Sequence, residues 1–202
     1  GAAHRPQRIE MLTSRPALLR FVIVMFLAIA AQALMGTTFG LWADVELNWG
    51  PREVGWTLAA LGAGAVILQG GLAGRAARVL GEQTMLLIGL GLFVAGFGGL
   101  AVTHEILMMS ASLAAIVIGI GLTTPALNAM IAEQAAERER GAVMGLSQSA
   151  SALGRAAGPL CAGALFDAFG AGTPFLAAAL VILAALFVAL EGQEAPEKCL
   201  SR

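Results

Sequence analysis

Charged residues in this chain fall in clusters, and between the clusters lie long stretches with none: Phe21 to Ala43, Val54 to Gly74, Gln83 to Thr103, Ile106 to Ala132 and Ala168 to Leu190. A helix rises ~1.5 Å per residue, so about 20 apolar residues cross the hydrocarbon of a bilayer, and each stretch is long enough. A sixth, Gly141 to Phe166, is interrupted only by Arg155. The runs are apolar on every side, whereas a soluble helix keeps a polar face and a membrane-barrel strand alternates with period two. The pattern predicts an all-α membrane protein with six transmembrane helices, at about 16–42, 54–74, 83–103, 106–132, 141–166 and 172–191. These form one bundle over 16–191, preceded by a lead at 1–15 and followed by a tail at 192–202.

Composition agrees. Of 202 residues, 58% are hydrophobic and 12% charged, with a mean hydropathy of +0.81. A soluble globule draws on about 25% charged residues to cover its surface, so a water-soluble fold is close to excluded. The net charge of −1 and the absence of Tyr supply neither a basic field nor stacking platforms for nucleic acid. Cys161, in an apolar run, and Cys199, in the polar tail, make neither a disulfide framework nor a zinc site. No metal or cofactor site is expected. The 26 glycines suit lipid, where small residues let helix backbones approach, as in Gly36-xxx-Gly40 and Gly154-xxx-Gly158. Gly62-Ala-Gly64 lacks the full motif and the preceding strand of a dinucleotide loop.

Orientation follows from the cations. Arg5, Arg8, Arg15 and Arg20 precede the first helix, Arg75 and Arg78 follow the second, Arg138 and Arg140 the fourth, and Lys198 and Arg202 the sixth. The alternate connections contribute only Arg52, so the positive-inside rule puts both termini in the cytoplasm. The first apolar run is too long for a signal peptide, and five more follow it. Gly1 in place of Met, ahead of a basic, Pro-containing lead, suggests residues lost or separated upstream, or removed for expression.

Polar residues inside the spans are the candidates for chemistry. Gln148, Ser151 and Arg155 fall at i, i+3 and i+7 on the fifth helix, Thr124 and Asn128 at i and i+4 on the fourth, and Gln32 stands in line with Gly36 and Gly40 on the first. Groups stacked this way are expected to face a cavity and bind substrate, with interhelical hydrogen bonding the more ordinary role for Ser151 and Thr124. Arg155 lies roughly 22 Å along its helix, near mid-membrane, where a guanidinium costs ~2.5–3.5 kcal/mol and has no neutral form to fall back on. It either meets a water-filled cavity, binding substrate or a carboxylate from elsewhere, or bonds carbonyls freed by Pro125 or Pro159. Gly154 and Gly158 leave room for both. No Asp or Glu lies deep in a span; Glu133 and Asp167 stand at the ends. An intramembrane serine protease would need a His near Ser147, yet the only histidines are His4 in the lead and His104 in a connection, and a water channel would need paired Asn-Pro-Ala turns that are missing. An enzyme is not expected.

Two stretches carry a resemblance. Gly70-Gly-Leu-Ala-Gly74-Arg75-Ala-Ala-Arg78-Val-Leu-Gly81-Glu82-Gln-Thr84, read as a short connection with glycine turns, resembles the signature loop of the major facilitator superfamily and still more its version in the C-terminal half of tetracycline efflux proteins. Gly74 replaces the signature's Asp. Gly141 to Leu160 is similar to the eleventh helix of drug-proton antiporters, and Gly121-Leu-Thr-Thr124-Pro125-Ala-Leu-Asn128 to their kinked tenth helix. The resemblance implies a 3+3 inverted repeat forming the C-terminal half of a secondary transporter in a bacterial inner membrane, with Gly70, Gly74, Arg75, Arg78 and Gly81 in a gating loop. It implies a missing N-terminal half, or a second copy, that supplies the coupling carboxylates. The expected function is proton-coupled efflux of a drug-like small molecule by alternating access; the alternatives are a metabolite importer of the same fold and a non-transporting partner subunit. Arg155 stands where the usual tetracycline pattern has a small residue, which argues against tetracycline itself. The topology makes a direct prediction: in spheroplasts an impermeant maleimide leaves Cys199 unlabelled until the membrane is permeabilised, and labelling of intact spheroplasts at Cys199 would overturn it.

Overall fold

The structure is a computed structural model and describes residues 15–191. Cys199, Lys198, Arg202 and the arginines of the lead before Arg15 lie outside the described residues. Among those described, the chain is helical from end to end: α1 (Pro16–Leu47), α2 (Pro51–Ile67), a π-helical turn (Leu68–Leu72), α3 (Ala73–Leu80), α4 (Glu82–Val102), α5 (Ile106–Glu133), α6 (Arg140–Phe169) and α7 (Thr173–Leu190). Prolines at the first turn start α1, α2 and α7, where the missing N–H costs nothing. Asn48 closes α1 in the left-handed region, its N–H turned back to the Asp44 carbonyl.

Five helical stretches are long and apolar enough to span a membrane: Pro16–Leu47, Pro51–Gly71, Glu82–Val102, Ile106–Glu133 and Thr173–Leu190. The remaining long helix, α6, has 30 residues, but Ser147, Gln148, Ser149, Ser151 and Arg155 interrupt its apolar character. Pro125 and Pro159 both stand inside helices that continue through them.

The helices pack in a pattern with internal symmetry. α4 lies against α5 and α7, α1 lies against α6 and α7, and α2 touches α5. Exchanging α1 with α5, α2 with α6 and α4 with α7 leaves this set of partners unchanged, as an inverted repeat of three helices and three requires. α1 also touches α5 and α2, and α6 touches α5 and α7.

Two seams lined by glycine pair the helices, and α7 joins the two pairs by packing on both α1 and α4. In the α1–α6 seam, a Cβ on Gly154 would stand 2.8 Å from the Phe26 carbonyl oxygen, and one on Gly158 2.7 Å from the Leu34 nitrogen. In the α4–α5 seam, a Cβ on Gly96 would stand 2.7 Å from the Ser112 carbonyl oxygen, one on Gly119 2.9 Å from that of Gly89, and one on Gly89 would strike the Thr123 hydroxyl. Gly154-xxx-Gly158 thus packs helices as the spacing predicts. Gly36-xxx-Gly40 does not: Gly36 is exposed with open space around it, and a Cβ on Gly40 would meet only Val54 at 3.7 Å. Gly36 looks out from the bundle, and Gly40 makes only an ordinary contact with α2 instead of a close backbone approach. Behind the seams Trp42 packs edge-on against Phe175 with ring centres 5.7 Å apart, and Phe93 stacks on Phe97.

The repeat is uneven. Where α6 is seated on α1 through two glycines, its counterpart α2 has no buried residue and rests on α5 through Gly64 near Val117 and Leu68 near Gly121.

The connection after α2 also departs from the expected short turn. Gly70 and Gly71 lie in the π-helical turn, Gly74, Arg75 and Arg78 lie within α3, and only Gly81, at φ +77°, breaks the helix before α4. A helical run satisfies its own backbone groups, which a loop at the edge of a bilayer would have to find elsewhere.

Candidate functional site

The candidate polar residues of the spans distribute over three helices that touch one another, α1, α5 and α6. On α6, Gln148 and Arg155 are exposed, with Pro159 beyond them, so this line of the helix faces outward. Ser151 departs from it: it is 6% exposed, and its hydroxyl donates to the Ser147 carbonyl at 2.9 Å. The reason is angular. At about 100° per residue, Arg155 lies ~20° from Gln148 around the helix, while Ser151 lies ~60° away, toward the glycine seam. Ser151 is therefore buried toward the seam, and Gln148 and Arg155 form the outward pair.

Arg155 stands half-way along α6. Among the described residues its guanidinium makes no ion pair and no hydrogen bond, so it is not engaged with carbonyls near Pro125 or Pro159. On α5, Thr124 and Asn128 are both half-buried and one turn apart, as the spacing predicts; the neighbouring Thr123 is the buried one, its hydroxyl without a partner above Gly89. On α1, Gln32 is half-buried, and its Nε2 is enclosed without a hydrogen-bond partner. An enclosed amide donor left unpaired costs ~1–3 kcal/mol. Gly36, one turn on, is bare.

At the end of the bundle where α1 starts, Arg15 donates to the Gln134 carbonyl at 3.0 Å and stands 2.8 Å from the Glu139 carboxylate, tying α1 to the α5–α6 connection. At the opposite end His104 Nδ1 lies 2.8 Å from Glu46 Oε2, tying the α4–α5 corner to α1. Neither tie was visible in the sequence, because the partners are 58 or more residues apart. Also missed was a cavity of about 550 Å³ between α2 and α5, lined by Trp49, Trp56, Leu61, Met109 and Leu113 among others. α2, which forms one of its walls, has no buried residue, and no pattern in the sequence signalled the cavity.

The model of the Major Facilitator Superfamily matches residues 21–199. The chain belongs to that superfamily. It is 33% identical over 128 residues to the class G tetracycline resistance protein of Vibrio anguillarum, a match covering 63% of this chain and 32% of that protein. It is 27% identical over 180 residues to multidrug resistance protein 2 of Bacillus subtilis, covering 86% of this chain and 43% of that one. This major facilitator chain thus spans about two-fifths or less of the length of the curated relatives it matches. Its fold is similar to that of a human organic anion transporter, with a TM-score of 0.79 at 23% identity over 86% of this chain and 41% of the other. A peptide transporter solved with sulfate gives 0.79 at 20% identity over 88% of this chain and 38% of the other.

The division of α6 into an outward and a seam-facing side is testable by accessibility. In the detergent-purified chain, cysteines at Gln148→Cys and Arg155→Cys react readily with a water-soluble maleimide, and Ser151→Cys reacts far more slowly. Equal rates at the three positions would contradict the assignment.

Proposed function

We propose that this chain is the C-terminal half of a secondary active transporter that exports a drug-like small molecule in exchange for protons, by alternating access, across a bacterial inner membrane with both termini cytoplasmic. The observation that carries the reading is Arg155, a permanently charged, unpaired guanidinium at the midpoint of a membrane-length helix, on the same outward line as Gln148. A charge there is tolerated when it meets water, substrate or an opposite charge. Superfamily architecture supplies such a setting, since substrate sites lie near the bilayer midplane between two bundles. Gln32, Thr124 and Asn128 complete the proposed polar lining from the adjoining helices, and Ser151 is withdrawn from it to the seam. The gating role falls to Gly70, Gly74, Arg75, Arg78 and Gly81, which here belong to a helical connection instead of a loop.

The membrane segments between Pro16 and Leu190 carry acidic groups only toward their ends, such as Glu133 and Asp167. Proton coupling through a membrane carboxylate therefore belongs to the facing half in this reading. Export is favoured over import by the similarity to proteins named for tetracycline and multidrug resistance. A small residue is usual at the position of Arg155 in the tetracycline pattern, so the substrate proposed is a drug-like molecule other than tetracycline.

Co-expressed with a matching N-terminal half in membrane vesicles, the chain gives substrate-dependent proton movement, and the chain alone gives none. In the reassembled transporter Arg155→Ala abolishes transport while expression and insertion persist, and Arg155→Lys is partly active. Normal transport by Arg155→Ala, or loss only through failure to accumulate, would remove the substrate-site role.

A further inference from the structure

Beside the contact of Leu68 with Gly121 lies a second apolar cleft, of about 440 Å³. Its walls are Leu68 of the π-helical turn, Val79 and Leu80 of α3, and Ile118 and Leu122 of α5, with Arg75 on its edge. α3 joins two membrane-length segments, Pro51–Gly71 and Glu82–Val102, so it sits where hydrocarbon gives way to headgroups. Its surface is an unusual mixture for eight residues. Arg75 and Arg78 are exposed, and so are Val79, at 82%, and Leu80, at 42%. Arg78 Nε donates to the Gly74 carbonyl at 3.2 Å, which holds that side chain back along the helix. Among the described residues neither arginine makes an ion pair. No Asp or Glu occurs from Gly70 to Gly81, and Gly74 has no side chain to offer Arg78 one turn on.

Bare aliphatics are poorly placed in water and an unpaired guanidinium is poorly placed in hydrocarbon. A molecule with an alkyl chain and an anionic head meets both at once. We propose that the cleft holds one acyl chain of an anionic phospholipid, with its phosphate on Arg75 and Arg78 beside it. The lipid would thereby brace α2, the one membrane-length segment that the protein itself leaves almost unpacked, at the turn from which it departs. The proposal rests on reading α2 and α4 as membrane spans and is independent of what the transporter carries.

The test uses native mass spectrometry of the purified chain in mild detergent, titrated with phosphatidylglycerol and with phosphatidylcholine of identical acyl chains. Phosphatidylglycerol is expected to be retained more strongly. Arg75→Gln weakens its binding by about fivefold and leaves phosphatidylcholine unchanged, the effect of one cation beside an anionic headgroup. Leu122→Trp, which fills the cleft, weakens both lipids. Gly74→Asp, at a position where a Cβ meets open space, gives Arg78, one turn on, an internal partner and weakens phosphatidylglycerol alone. Helix content by circular dichroism, unchanged in each variant, separates these losses from unfolding. Equal retention of the two lipids, or phosphatidylglycerol binding indifferent to Arg75→Gln, would overturn the proposal. So would full competition by inorganic phosphate with no effect of Leu122→Trp, or release of the lipid when a facing half supplies a carboxylate to Arg75. Recovery of the chain from the aqueous phase without detergent would overturn the membrane reading beneath it.

Discussion

Direct contact between helix backbones at glycine is the constraint on which this fold depends. Lipid tails are as apolar as leucine, so burying apolar side chains against one another gains little inside a membrane, and association falls to close packing and interhelical polar contacts. The α1–α6 and α4–α5 seams meet that requirement with glycines whose missing side chains are occupied by the neighbouring backbone. α7 then joins the two pairs, with Trp42 of α1 edge-on against its Phe175.

The seams also fix what is left exposed. With Gly154 and Gly158 pressed on α1, helical geometry turns Ser151 inward and Gln148 and Arg155 outward, so the charge at mid-helix follows from the packing of its neighbours. The inverted repeat would give α2 the same seat on α5, but α2 has no buried residue there, and its close approaches at glycine are Gly64 near Val117 and, in the turn that follows, Leu68 near Gly121. The cavities on either side of those contacts are the volume that a full seam would have closed. α2 is thus the element whose position depends most on what lies outside this chain, be it lipid or another bundle.

The all-helical membrane architecture was legible in the sequence because repeated uncharged runs of about twenty residues match the thickness of a bilayer and leave a soluble surface uncovered. The superfamily was legible from the glycine-arginine run after α2, from Gly141 to Leu160 and from Gly121 to Asn128. Other features were not, each for a physical reason. Gly36-xxx-Gly40 and Gly154-xxx-Gly158 have the same spacing, and only tertiary structure says which pair meets a partner. Residues three apart share a face only loosely, so Ser151 was grouped with Gln148 until the seam separated them. The helical course of Gly70 to Leu80 was hidden because glycine permits a turn without requiring one. The glycines of α4 and α5 that make the second seam were lost among the 26 in the chain.

A seam glycine and an exposed one in the same helix differ in what surrounds them. Gly158 has backbone 2.7 Å from where its Cβ would lie, and Gly163, five residues on, has nothing within 4 Å. Measured by reversible unfolding in lipid bilayer discs, Gly158→Val is predicted to cost ~1–3 kcal/mol through overpacking, and Gly163→Val to stay within about 0.5 kcal/mol of the parent. Equal effects of the two substitutions would contradict the claim that backbone contact at α1–α6 organises the bundle.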